Sequence, residues 1–206
     1  MLDHVVYAVP DLEAAIDDLE QRLGVRSTLG GRHPGRGTYN ALPSFGDGGY
    51  LEIIAPDPKQ PDPAAPRSFA VDTLTEPVLR TWAAKAPDIA ARVQRARDAG
   101  YDPGDARDMS RERPDGVTLA WRLTQSGSEP GGWLVPFLID GGESPHPADD
   151  APGGVTLDSL RAEHPQPDAV RSMLAALGLD RELEVTEGPA ARLFARMTGP
   201  AGSVDL

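Results

Sequence analysis

The chain has 206 residues, of which 39% are hydrophobic, and a formal net charge of −12. These values describe a globular protein able to bury a sizeable core and exclude a disordered or fibrous chain. A pI near 4.7 excludes nucleic acid and anionic membrane surfaces as natural partners, because such a surface repels phosphate. The sequence has no cysteine, which removes disulfides, thiolate metal sites and cysteine nucleophiles. No basic stretch followed by an apolar one opens the chain, and no apolar run reaches the ~20 residues that span a bilayer. The expected location is the cytoplasm, and the excess of Arg, Ala, Gly and Pro suggests a GC-rich bacterial source.

In chain order, the apolar run Leu2–Val9 reads as a buried strand closed by Pro10. Asp11 stands where a helix N-cap belongs, and Leu12, Ala15, Ile16, Leu19 and Leu23 follow at helical spacing before Gly24. A second strand is predicted around Val25–Leu29, then a glycine-rich loop over Gly30–Gly37. Tyr39–Phe45 and Tyr50–Ile54 read as two strands joined by the turn Gly46–Gly49. The order is strand, helix, strand, strand, strand.

It recurs. Val78–Ala86 predicts a strand, and Pro87–Asp88 opens a helix with Ile89, Val93 and Ala96 on one face. Asp102–Gly116 and Gln125–Gly132 read as loops around a strand at Val117–Thr124, with Trp133–Ile139 the last strand. A third pass comprises Val155–His164, a helix from Pro167 to Gly178, and strands at Leu183–Thr186, Arg192–Thr198 and Ser203–Leu206. The predicted organisation is therefore a unit at 1–56, a proline-rich linker at 57–77, a unit at 78–140, a linker at 141–154 and a unit at 155–206. An odd number of units leaves one without an internal partner, so a homodimer is expected.

The opening Leu-Asp-His-Val-Val-Tyr-Ala-Val-Pro-Asp-Leu-Glu and the strand Tyr50–Ile54 resemble the vicinal oxygen chelate superfamily. Gly30–Leu42, Met109–Arg111, Trp121–Thr124 and Val135–Asp140 resemble its glyoxalase-like subgroup more closely. The resemblance implies an α+β fold of repeated βαβββ units whose curled mixed sheets enclose a cleft. It also implies a divalent metal (Zn, Ni, Fe or Mn) held from the first and last strands of each unit. Carried over by position, His4 and Glu52 are metal ligands, and Asp205 joins them if the first and third units share the cleft. The positions matching His4 are Thr81 and Ser159, and Val135 matches Glu52 in the second unit.

Glu52 lies in an apolar strand, where an unpaired carboxylate is expensive, so it faces either solvent or a site. Glu52 and His33 are the candidate proton-transfer residues. Arg32, His33, Thr38 and Asn40 form a candidate polar lip, with Arg111, Trp121 and Arg122 as further substrate contacts. Two functions follow. One is a metal-dependent lyase or isomerase of a small oxygenated molecule, with the ion as Lewis acid. The other is a metal-free binding or sequestering protein that uses the same cleft. The missing second histidine weighs against an extradiol dioxygenase, and the acidic chain against a glutathione-dependent glyoxalase.

Overall fold

The computed structural model describes residues 1–63, 65–113, 115–124 and 131–206. The linker residue Ala64 and most of the loop read at Gln125–Gly132 lie outside them. The protein is an α+β fold with a curled, closed sheet. Strands β1 (Leu2–Ala8), β2 (Thr28–His33), β3 (Thr38–Leu42) and β4 (Tyr50–Pro56) form one half of a barrel. The other half comprises β5 (Val78–Lys85), β6 (Arg107–Glu112), β7 (Thr118–Leu123) and β8 (Phe137–Asp140). The barrel closes in the order β1-β4-β3-β2-β6-β7-β8-β5.

Alternation sorts the side chains. Val5 and Tyr7 of β1, Leu51 and Ile53 of β4, and Trp82 of β5 pack outward in the main apolar core. That core is covered by helices α1 (Leu12–Leu23) and α2 (Ile89–Asp98). The Asp11 carboxylate accepts from the Ala14 N–H at 3.1 Å, which caps α1. The five buried residues Leu12, Ala15, Ile16, Leu19 and Leu23 then form its inner stripe. Full burial of each large aliphatic among them stabilises the fold by about 1.5–3 kcal/mol. The opposite faces of the strands line the barrel interior, where Val6, Ile54, Ala83 and Phe137 pack together.

Three segments differ from the sequence expectation in ways that matter for the interior. The glycine-rich stretch is not all loop: β2 runs through Gly30 and Gly31 to His33, antiparallel to β3. Segment 107–112, read as loop, is strand β6. Its sequence Arg-Asp-Met-Ser-Arg-Glu is polar on both faces because one face meets solvent and the other a polar cavity, so no alternation announces it. The last strand of this half starts at Phe137, after a 3₁₀ turn at Gly132–Leu134.

Helix α3 (Pro147–Asp150) lies on the connection to β9 (Thr156–His164), α4 (Pro167–Ala176), β10 (Glu184–Glu187), β11 (Arg192–Gly199) and β12 (Gly202–Asp205). These last four strands form a separate sheet in the order β10-β9-β11-β12. Its Ala162, Leu193, Ala195, Met197 and Val204 belong to the same apolar core as the barrel helices. The Ala201 N–H donates to the Leu23 carbonyl at 3.1 Å, tying the β11–β12 turn to the end of α1. The inner face of this sheet is therefore covered within the chain. No helix among the described residues is long and apolar enough to cross a membrane.

The barrel halves meet at two unequal seams. β1 and β5 share six registered pairs, whereas β2 and β6 share the single pair Arg32↔Glu112. Gly31 permits the second seam: its φ is +138°, and a Cβ there would lie 2.2 Å from the Glu112 carbonyl oxygen. Gly31→Ala is expected to destabilise the fold by roughly 2–4 kcal/mol through backbone strain and a parted seam. Urea unfolding monitored by tryptophan fluorescence measures this, and an unchanged midpoint would refute it.

Candidate functional site

A cavity of about 770 Å³ occupies the barrel interior. Its polar end begins with a backbone irregularity. Between Leu2 and His4 on β1 only one residue step passes on β5, so Asp3 is the extra residue of a bulge. In a regular strand Asp3 and His4 would face opposite sides. Here both line the cavity, and His4 Nδ1 lies 2.7 Å from Asp3 Oδ1.

Asp3 binds a second imidazole. The Ala148 N–H donates to His146 Nδ1 at 3.2 Å, so a neutral His146 carries its proton on Nε2. That N–H then donates to Asp3 Oδ2 at 3.1 Å. Burial alone would raise the Asp3 pKa, but the hydrogen bonds from His146 and His4 outweigh it and hold the carboxyl well below the usual carboxylate range. An anionic Asp3 makes His4 Nδ1 the donor, which leaves Nε2 as the reactive nitrogen. The ring is clamped by Tyr50, stacked at 4.7 Å, and Phe137, edge-on at 5.4 Å.

His4 Nε2 lies 3.6 Å from Glu52 Oε2. That separation lets the two groups share a charge but is too long for a direct hydrogen bond. The other carboxylate oxygen, Oε1, accepts from Asn40 Nδ2 at 2.6 Å. Asn40 is oriented in turn by Arg111, whose Nη1 donates to Asn40 Oδ1 at 3.1 Å. A guanidinium has no acceptor, so the amide must turn its oxygen to Arg111 and its NH₂ to Glu52. Gly30 leaves room for this contact, because a Cβ there would fall 2.1 Å from Arg111 Nη1 and 2.5 Å from Asn40 Oδ1.

His33 flanks the pair, with Nε2 at 4.0 Å from Glu52 Oε1 and Nδ1 at 2.9 Å from Thr38 Oγ1. Burial lowers its pKa to about 4, the Glu52 charge opposing this and Arg111 and Arg36 reinforcing it. His33 is thus neutral at pH 7. Burial and the nearby Asp3 and Glu52 carboxylates raise Tyr50 well above the ordinary phenol range, so it too is uncharged.

His4, Glu52, His33, Thr38, Asn40, Arg111 and Trp121 all line this cavity. Three expected site residues do not. Arg32 points out of β2 and pairs with Asp57. Arg122 is exposed on β7 with Asp108 at 3.6 Å. Asp205 is exposed on the separate sheet, where it pairs with Arg196 at 3.1 Å. It cannot join His4 and Glu52, since the cleft is built by the first two strand sets and not by the third. Asp3 and His146, which the sequence reading did not assign to the site, complete it instead.

The donor set decides how well a resident metal fits. His4 and Glu52 are the two residues that would hold one. His4 lies seven residues before the N-cap Asp11, and Thr81 seven before the N-cap Asp88. Val6, paired with Glu52, corresponds in the same way to Ala83, paired with Phe137. The second half therefore offers a threonine and a phenylalanine at the matching positions, with Phe137 and not Val135 opposite Glu52. Catalytic sites for such ions ordinarily take three protein ligands. Among the described residues no group of three or more His, Asp or Glu side chains could hold an ion. The residues do not fit a resident metal.

The paired βαβββ halves of the barrel are the fold of the vicinal oxygen chelate class. The profile of the glyoxalase-like domain matches residues 2–178, and the chain belongs to that family. A search of curated proteins finds no match. Among solved structures, a hypothetical protein from Staphylococcus aureus aligns over 99% of this chain and 83% of its own, with 12% identity and a TM-score of 0.65. Methylmalonyl-CoA epimerase from Mycobacterium tuberculosis aligns over 68% of this chain and 87% of its own, with 22% identity and a TM-score of 0.47. A Streptomyces coelicolor methylmalonyl-CoA epimerase variant in complex with 2-nitronate-propionyl-CoA covers 67% and 94%, with 18% identity and a TM-score of 0.45.

Two outcomes follow. After supplementation with Zn, Ni and Mn and dialysis, elemental analysis is expected to find clearly substoichiometric metal, and one equivalent lost in His4→Ala would overturn the fit argument. The second concerns pH. His33 binds a proton less readily folded, near pH 4, than unfolded, near 6.5. Between these values the unfolded chain holds more protons, so this residue makes stability rise with pH through the window. His33→Gln should flatten the rise by up to about 3 kcal/mol, as measured by urea unfolding at pH 4.5 and 7.

Proposed function

We propose that this protein is an isomerase or lyase acting by proton transfer on a small oxygenated molecule, without a resident metal. The observation that carries this reading is the 3.6 Å gap between Glu52 Oε2 and His4 Nε2 at the polar end of the cavity. A base and an acid set that far apart can act on two adjacent substrate atoms.

Glu52 is held by Asn40 through one oxygen, leaving Oε2 to take a proton from a carbon next to a carbonyl. The C–H bond breaks, an O–H bond forms on Glu52, and the electron pair passes to the carbonyl oxygen as an enolate. His4, its Nδ1 held by the anionic Asp3, presents Nε2 to that oxygen as the proton donor. Where the deprotonated carbon bears a hydroxyl, that O–H gives up its proton while the former carbonyl carbon takes the proton from Glu52, and the carbonyl moves across to give an isomer. Where the next carbon bears a leaving group, the enolate re-forms its C=O, a C=C bond forms and the group departs with its electron pair, which is a lyase reaction. Neutral His33 beside Glu52 is suited to relay the proton, and the apolar walls of Ile54, Phe137 and Ile139 exclude water from the intermediate.

The test is deuterium wash-in from D₂O, followed by NMR, at the carbon next to the carbonyl of a panel of 2-oxo and 3-oxo acids. Glu52→Gln is expected to slow exchange by roughly 10²–10⁴-fold, and Asp3→Asn by less, since it only orients and stabilises His4. Exchange at wild-type rate in Glu52→Gln would eliminate the proposal. Wild-type protein that binds members of the panel yet exchanges none would favour the binding-only alternative.

A further inference from the structure

Arg111 orients Asn40, but its charge has no paired carboxylate among the described residues of the site. It is 4% exposed on the cavity wall of a chain that carries 32 acidic residues. Yet no carboxylate among the described residues lies within ion-pair distance of it; among them its one side-chain hydrogen bond is to the neutral amide of Asn40. A guanidinium offers five N–H donors, and burying one without an anionic partner is costly. Burial indeed disfavours its charged form and lowers its pKa.

A second orphan lies beside it. Arg111 faces Leu119 across β6–β7, and Met109 faces Trp121, so Arg111 and Trp121 are diagonal neighbours on the inward face, within reach of long side chains. The indole Nε1–H of Trp121 is buried with no acceptor among the described residues. A cation with no carboxylate at ion-pair distance and an indole N–H with no acceptor among the described residues thus stand together on one wall of the chamber. Phe69, packed at 6.0 Å from Phe137, and Ile139 supply apolar wall to the same chamber.

From this we infer that the substrate is a monocarboxylate with an apolar body, its carboxylate anchored by Arg111 and the Trp121 N–H. Arg111 presents the planar fork that matches a carboxylate. The body lies along Phe69, Phe137 and Ile139. The chain Arg111–Asn40–Glu52 sets the anchor one amide away from the catalytic carboxylate, so the carbon next to the anchored end meets Glu52. This inference rests on the proton-transfer reading for what happens next, but the anchor itself is a binding site and is tested by binding alone.

Isothermal titration with 3-phenylpropionate and its neutral isostere 3-phenylpropanamide provides that test. Wild type is expected to bind the acid at least about tenfold more tightly than the amide. Arg111→Met should erase the preference. Trp121→Phe, which keeps the ring and removes only the N–H, should weaken the acid several-fold and leave the amide unchanged. Glu52→Gln should keep the preference while losing exchange. Equal binding of acid and amide by wild type overturns the inference, as does full preference in both folded variants. Should Arg111→Met fail to fold, Trp121→Phe alone decides. Exchange that persists in Glu52→Gln while the acid preference holds would remove the proton-transfer reading and leave the anchor standing.

Discussion

Arg111 can only donate hydrogen bonds, and that restriction propagates through the interior. It fixes the amide of Asn40, the amide fixes one oxygen of Glu52, and the other oxygen is thereby presented to His4. From the far side Ala148 fixes His146, His146 fixes Asp3, and Asp3 fixes His4. Two chains of one-way hydrogen bonds, each starting from a group with no choice of role, converge on a gap of 3.6 Å. Buried networks of this kind rigidify as their members are satisfied, and here the charge of Arg111 is the member left open. The geometry is thus held by consistency and not by any one strong bond.

The barrel supplies what the network needs. Its outward residues bind α1, α2 and the last sheet into one apolar core, while the inward residues are freed from packing duty at one end. Phe137 and Thr81 stand where a symmetric second half would repeat Glu52 and His4. The protein has kept two-fold architecture and given up two-fold chemistry.

Much of this was legible in the sequence because the relevant periods were strong. Helix α1 followed from Asp11, the spacing of Leu12, Ile16, Leu19 and Leu23, and Gly24. The apolar runs at Leu2–Val9 and Tyr50–Ile54 gave β1 and β4, and the placement of His4 and Glu52 inside an apolar strand marked them as anomalies that need partners. Other features left no trace in the pattern. Strand β6 is polar on both faces, so Arg111 was legible as a candidate substrate contact while the strand that carries it into the cavity wall was read as loop. Asp3 enters the site through a bulge, which alternation cannot express. Asp205 looked like a ligand by position in the repeat, but which strand sets share a cleft is a matter of long-range packing and not of local order.

The segment between the barrel and the last sheet looked like a spacer. It delivers His146, whose proton position is dictated by the backbone of α3 and whose N–H keeps Asp3 in its charged form. The tether between two parts of the fold is thus also a component of the site's electrostatics. A nick or an insertion near residue 146 would act on chemistry before it acted on folding, and the length of that tether is under a functional constraint that its glycine- and proline-rich composition conceals.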